Sequence, residues 1–326
     1  MTQPQHAALV FNPVKVDATK LRSAVETAAQ DAGWAPPRFY ETSVDDPGIG
    51  QAKQAIDDGA AVVLAAGGDG TVRAVAQGLR GTSVPLALIP SGTGNLLARN
   101  LKLPLADQAA SIRVAFEGDT KPVDIGVVTI VREDGSEEEQ CFVVMAGMGI
   151  DAMMISSTNP ELKKTVGWLA YVESGLRSII KSEPFRLHYR LQGHREHSIR
   201  VSSILVGNCG TLQGGIELMP DAAIDDGILD IAVLQPKGAL GWLLVWRKVS
   251  WENRVLRRSS VGRRLIKAND ARGGGNTVTY LRSERVSMRV EEPHDIELDG
   301  DGFGVAIAAH FDAHEGGLHV KLPADA

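Results

Sequence analysis

Along the first 122 residues, short apolar runs alternate with segments whose apolar residues recur at helical spacing. AALVF (7–11) is followed by NPVK and then by Leu21, Val25, Ala28 and Ala29, a stripe that stops at Gly33. RFYET (38–42) leads to a helix expected after DDP, with Pro47 suited to its first turn and Gly59 at its end. VVLAA (62–66) is a continuous apolar run, the pattern of a parallel strand covered on both faces. Past GGDG, Val72, Val75, Ala76 and Leu79 recur at i, i+3, i+4 and i+7, which predicts a helix from near Thr71. PLALIP (85–90), then SGTGN, then Leu96, Leu97, Asn100 and Leu101 repeat the scheme. The alternation predicts a doubly wound α/β domain over residues 1–122.

From Val123 the pattern turns to strands joined by hairpins. VDIGVVTIV and QCFVVMAGMG flank the acidic turn REDGSEEE, and FRLHYRL and HSIRVSSILVGN flank QGHRE. A β-sandwich-rich second domain over 123–326 is expected, its final strands free to return to the first domain. One helix interrupts it, through the stripe Leu169, Val172, Leu176 and Ile179.

A net charge of -6 argues against a general nucleic-acid binder. Cys141 and Cys209 both fall in apolar runs, which suits buried thiols in a reducing compartment, and the cytoplasm is the expected location. The opening MTQPQHAALVFNP lacks the basic and long apolar regions of a secretory signal. No apolar run approaches the ~18–20 residues of a membrane span. Nothing in the chain specifies an oligomeric state.

The four strand-to-helix loops all fall at strand carboxyl ends, where open α/β sheets bind ligands. Glycines in GGDGT and SGTGN let a phosphate approach backbone N–H groups at a helix start. Asp69 complicates that cradle, because an anion beside a phosphate repels it unless a cation such as Mg2+ lies between them. Neither loop matches the P-loop or the G-x-G-x-x-G dinucleotide fingerprint.

In order and spacing, NPVK, GGDGT and PSGTGN resemble the catalytic domain of the diacylglycerol kinase family, which includes bacterial lipid kinases and sphingosine and ceramide kinases. GGDGT alone is shared with NAD kinases. The resemblance implies that these loops bind ATP through Asn12, Pro13, Lys15, Thr42, Gly67, Gly68, Asp69, Gly70, Thr71, Val72, Arg73, Ser91, Gly92, Thr93, Gly94 and Asn95. Asp69 is then given one of two jobs, holding magnesium through water at the phosphates or orienting the turn, with the first preferred. Leu96 stands where family members often carry Asp.

Two acidic turns in the second half complete the resemblance. PDAAIDDGILDI is similar to the family's magnesium-binding segment and implies Asp226 with the carbonyls of Ala223 and Ile228. Its local sequence also reads as a plain Asp-Gly hairpin turn. In IELDGDGFG, Ile296 and Leu298 alternate on a strand that delivers Asp299 and Asp301 to its end. The family's motif there is Asp-Gly-Glu, whose glutamate takes the proton of the lipid hydroxyl. Here Asp301 holds the shorter acid, with Asp299 and Asp69 the other catalytic candidates. The expected activity is an ATP-dependent lipid kinase, with an NAD-kinase-like enzyme or a catalytically silent lipid or nucleotide sensor as alternatives. His310 and His314 lack the H-E-x-x-H order and receive no role.

A lipid acceptor calls for a bilayer surface. Residues 240–272 contain Trp242, Trp246 and Trp251, and from Arg247 to Arg272 nine Lys or Arg stand against two acids, a local charge of +7. As a helix, the apolar Trp242, Val245, Trp246, Val249 and Leu256 would lie beside Arg247, Arg254 and Arg258. That is the composition of an interfacial helix docking peripherally on an anionic inner membrane face, or of a core-packed helix with a solvated basic side.

Overall fold

The computed structural model describes residues 5–149, 184–236, 241, 244, 245 and 277–324. The N-terminal part runs β1 (His6–Phe11), α1 (Ala18–Asp31), β2 (Ala35–Glu41), α2 (Ile49–Asp57), β3 (Val62–Gly67), α3 (Asp69–Leu79), β4 (Leu86–Pro90), α4 (Leu96–Asn100) and α5 (Gln108–Glu117). The four strands pair in parallel in the order β2-β1-β3-β4. Their continuous apolar runs are what a sheet covered on both faces requires. On one face Leu9, Phe11, Leu64, Ala66 and Ile89 pack with Leu21 and Val25 of α1 and Ile112 and Ala115 of α5. On the other, Val10, Val63, Ala65 and Leu88 pack with Ala52 and Ala55 of α2 and Val75, Ala76 and Leu79 of α3. The domain is doubly wound. Chain order reverses between β1 and β3, so the crevice at their carboxyl ends lies between NPVK and GGDG.

Helix α3 begins at Asp69, two residues earlier than the apolar spacing predicts, with Gly68 as its cap residue. It is buried on more than its sheet side: Arg73 and Gly78 are buried along with Val75, Ala76 and Leu79. A β-carbon at Gly78 would meet α2, 2.7 Å from Ala52 Cβ and 2.9 Å from the Ile49 carbonyl. Bare glycine backbone therefore sets the α2–α3 spacing.

The remaining strands are β5 (Asp119–Val131), β6 (Glu137–Phe142), β7 (Met145–Met148), β8 (Phe185–Leu191), β9 (His197–Val201), β10 (Ser203–Gly207), β11 (Thr211–Leu212), β12 (Ile216–Glu217), β13 (Leu229–Leu234), β14 (Val278–Ser283), β15 (Arg285–Leu298) and β16 (Asp301–Leu322). Among the described residues, all but β11 and β12 join one sheet. The strand expected from QCFVVMAGMG is two strands, broken at Val143–Val144, and HSIRVSSILVGN likewise breaks at Ser202 between β9 and β10. A second core collects the inward positions of these strands, among them Val128, Phe142, Ile231, Met288, Ile296, Leu298 and Phe311. Strand β16 spans the molecule, antiparallel to β15 and β5 and parallel to β4 at Val320↔Leu86.

The helix expected through Leu169–Ile179 lies outside the described residues, as does 240–272 apart from Gly241, Leu244 and Val245. Among the described residues no helix is long and apolar enough to cross a membrane. Both cysteines are free and buried, and burial pushes the Cys141 thiol up to about 11 and raises that of Cys209.

Candidate functional site

The four loops after β1, β2, β3 and β4 gather at one edge of the sheet, tied by backbone bonds. Asn12 N–H donates to the Ala66 carbonyl, Thr42 N–H to Phe11, and Ser91 N–H to Gly67. Asn12 Oδ1 turns back to accept Val14 N–H, while Pro13 and Lys15 are exposed beside it and Thr42 is buried. Two glycine turns touch directly: a β-carbon on Gly92 would sit 2.8 Å from Gly68 Cα. A β-carbon on Gly67 would meet the Thr71 side chain at 2.6 Å, whereas one on Gly68 would face open space. The cradle is thus packed from below and open above.

Asp69 does not face that opening. Its carboxylate accepts Asn95 N–H at 3.1 Å and Leu96 N–H at 2.6 Å, which ties the start of α3 to the start of α4. Asn95 closes the same loop on itself, accepting Gly92 N–H at 3.0 Å and donating to the Gly92 carbonyl at 2.9 Å from a left-handed backbone with φ 50°. Arg99 Nε donates to the Gly94 carbonyl, and Gln213 Nε2 reaches across to Thr93. Burial pushes the Asp69 carboxyl up, and the Leu96 and Asn95 N–H groups pull it back. These two bonds suit the second job expected for Asp69, orientation of the SGTGN turn. The N-terminus of α3 itself carries no side-chain cap.

The LDGDG segment is a two-residue hairpin turn between β15 and β16, with Asp299 at φ 51° and Gly300 at φ 88°. Left-handed backbone at both positions is why Asp-Gly stands there. Asp299 is not solvated, though. It is 5% exposed, and its carboxylate accepts the N–H groups of Val143, Val144 and Met145 at 2.8–3.0 Å. Those are the N–H groups at and beside the break between β6 and β7, so the acid both creates the break and satisfies it. Asp299, expected among the catalytic acids, is thus held by backbone N–H groups inside the turn.

The Asp301 side chain is half exposed, and a β-carbon on Gly70 would lie 2.5 Å from its Oδ2, so the acid rests on the first turn of α3. Arg73 Nη2 stands 3.4 Å from the same oxygen, with its guanidinium 4.5 Å over the Phe303 ring and its Nε buried without a hydrogen-bond partner among the described residues. Arg73, placed among the nucleotide-lining residues by its motif, is thus the companion of the acid. Its helix position alone carries no sign of this, since Asp301 follows 228 residues later.

Burial pushes Asp299 up to about 6, against the pull of its three N–H partners and Arg73. A carboxyl raised above its ordinary 3.8 contributes stability in full below that value and loses it as the pH rises through about 6. Asp299→Asn keeps a residue that accepts the left-handed turn but aims an N–H at a backbone N–H, costing about 1–3 kcal/mol. The gap in Tm between wild type and this variant is expected to widen as the pH falls from about 7.5 to about 5. Thermal melts at both ends check it; a constant gap counts against the raised pKa.

The other acidic turn is occupied from within. Asp226 Oδ2 takes the Arg282 guanidinium and Oδ1 accepts Ile228 N–H. Arg282 Nε also reaches Asp230, its cross-strand partner, at 3.2 Å. Burial pushes Asp230 up to about 6 despite Arg282. Asp124, absent from the motifs, is buried beneath the turn and accepts Gly227 N–H at 2.7 Å and Gly316 N–H at 2.8 Å. The set expected to hold magnesium here, Asp226 with the Ala223 and Ile228 carbonyls, already has its carboxylate charge met by the Arg282 guanidinium at Oδ2. Among the described residues no three His, Cys, Asp or Glu cluster as metal ligands.

Comparison with known proteins gives two family matches. The profile described as "Diacylglycerol kinase catalytic domain" covers residues 6–128, and that of the "YegS C-terminal NAD kinase beta sandwich-like domain" covers 143–261. A "Probable lipid kinase YegS-like" of Pseudomonas putida is 29% identical over 326 residues, spanning 99% of this chain and 97% of its own. One from Pseudomonas syringae pv. syringae is 31% identical over 267 residues, 81% of this chain and 76% of its own. Among solved structures, a diacylglycerol kinase of Bacillus anthracis superposes with a TM-score of 0.67 at 19% identity, covering 99% of this chain and 98% of that one. An NAD kinase from Archaeoglobus fulgidus in complex with ATP gives 0.52 at 11% identity over 97% and 93%. These two share the fold.

Proposed function

Because the chain belongs to the diacylglycerol kinase catalytic-domain family, among the YegS-like lipid kinases, we propose that it transfers the γ-phosphoryl group of ATP to a lipid hydroxyl. One observation carries the reading: the β15–β16 hairpin sets Asp301 on the first turn of α3, against Gly70 and beside Arg73. An acid held at a phosphate-receptive helix start can take a proton while a phosphoryl group is stabilised next to it.

In this reading ATP enters as its magnesium complex and lies over the loops after β1–β4, with its phosphates toward Gly68 and Gly70. The lipid hydroxyl oxygen attacks the γ-phosphorus as the bond to the β-phosphate oxygen breaks, ADP leaves, and Asp301 receives the hydroxyl proton. Arg73 orients Asp301, Asp299 fixes the turn that carries it, and Asp69 holds the SGTGN loop in place. The acceptor class is diacylglycerol or a ceramide- or sphingosine-like alcohol. The test is incubation with ATP and mixed micelles of each alcohol, with NAD in parallel, followed by mass spectrometry of the products. Phosphorylation of a lipid is expected, and NADP as the sole product would overturn the acceptor assignment.

In the same reading the enzyme works in the cytoplasm, peripherally on anionic bilayers, through its basic, tryptophan-rich 240–272 stretch. Each basic residue near an anionic surface adds about 1 kcal/mol, attenuated by salt. Sedimentation with anionic vesicles should exceed that with neutral ones and fall as salt rises. Replacing Arg257, Arg258, Arg263 and Arg264 with glutamine should remove most of the preference. Equal sedimentation of this variant and wild type would place the docking surface elsewhere.

A further inference from the structure

Strands β13 and β14 pair antiparallel with Asp230 directly opposite Arg282. From that position the guanidinium spans two carboxylates, Asp226 through Nη2 and Asp230 through Nε. A planar fork of five donors suits such bridging better than a point charge. The other side of the turn is held by backbone N–H groups that donate to Asp124. Asp124 accepts Gly227 N–H and Gly316 N–H, and its own N–H donates to the Ile224 carbonyl at 2.7 Å. A divalent ion in a turn of this composition would do two things, neutralise the acids and pin the turn to its neighbours. Here Arg282 does the first and shares the second with Asp124.

We infer that Arg282 is a built-in cation for the acidic turn at 224–230, so that this turn keeps its shape without a divalent ion. Magnesium demands near-octahedral oxygen ligands and gives up its water reluctantly, whereas the guanidinium is covalently tethered opposite the acids. Asp226 and Asp230 form an intramolecular salt-bridge clasp between the 224–228 turn and β14. Any requirement of the protein for magnesium then lies with the nucleotide and not with this turn.

The experiment is thermal unfolding of the full chain without nucleotide, in EDTA and in millimolar MgCl2, so its outcome is independent of turnover. The quantity read is the magnesium-dependent shift in Tm that Asp226→Asn abolishes. For wild type that shift is expected to be nil. Arg282→Gln, which exposes the carboxylates to each other, is expected to melt lower in EDTA by roughly 2–4 °C and to regain stability in MgCl2. Adding Asp226→Asn should cancel the regain. A wild-type shift removed by Asp226→Asn would overturn the inference, and so would an Arg282→Gln protein that magnesium leaves unchanged. Should Arg282→Gln not fold, calorimetric titration of wild type and Asp226→Asn with MgCl2 decides: equal heats support the internal cation, and heat lost in Asp226→Asn contradicts it.

Discussion

Asp301→Asn is expected to lower kcat roughly 10²–10⁴-fold, the range of a lost general base. The amide keeps the shape but cannot take a proton. Because the wild-type side chain is half exposed and packs on glycine backbone, circular dichroism should stay native. Some stability is expected to go, since Arg73 is almost wholly buried and loses its anionic neighbour. Asp301→Glu, longer by one bond of roughly 1.5 Å, restores the acid of the family motif and should remain active, as the side chain has room on its exposed side. Gly70→Ala offers a second check, read as kcat at saturating ATP because Gly70 also faces the proposed phosphate site. Its β-carbon would lie 2.5 Å from Asp301 Oδ2 and must push the carboxylate off the helix start, so it should reproduce much of the loss. Wild-type turnover in Asp301→Asn, measured on the best lipid acceptor, would remove Asp301 from the chemistry.

Asp69→Ala is expected to weaken ATP binding about 100-fold. The carboxylate makes two charge-assisted bonds to N–H groups of the α4 turn, and removing it strands both donors in a partly buried place. At ~1.5–3 kcal/mol per charged hydrogen bond, partial replacement by water leaves a loss near 3 kcal/mol. The SGTGN loop would then no longer be fixed against Gly68. This role differs from one played through magnesium, and equilibrium dialysis of ATP separates them. Orientation of the loop predicts that the variant binds weakly in EDTA as well as in magnesium. A defect confined to magnesium would return Asp69 to the metal.

The parallel sheet was legible because its residues report burial directly: every position of β3 is apolar or glycine and every one is buried. The loops at its carboxyl ends followed from topology alone. Helix α5 is harder to read, since its buried side amounts to Ser111, Ile112 and Ala115. The break between β6 and β7 was hidden in an uninterrupted apolar run, because its cause is a carboxylate some 155 residues away in sequence. Asp299 and Asp301 illustrate the same limit. Local pattern delivers both acids to one turn, but alternation cannot say which faces the protein and which faces the crevice. That is decided by the left-handed φ of Asp299 and by what waits on either side: three backbone N–H groups for one acid, Gly70 and Arg73 for the other. Asp226 reads locally as part of an Asp-Gly hairpin, and its pairing with Arg282 of β14 lies 56 residues beyond any local pattern.

The central claim is tested most directly by following the terminal phosphate of γ-labelled ATP into the organic-extractable fraction of vesicles that contain the lipid alcohols. The account predicts labelled lipid formed in step with ADP, and almost none with Asp301→Asn at equal protein concentration. ADP released with no label in lipid, or label entering lipid equally well with the Asn variant, would contradict it.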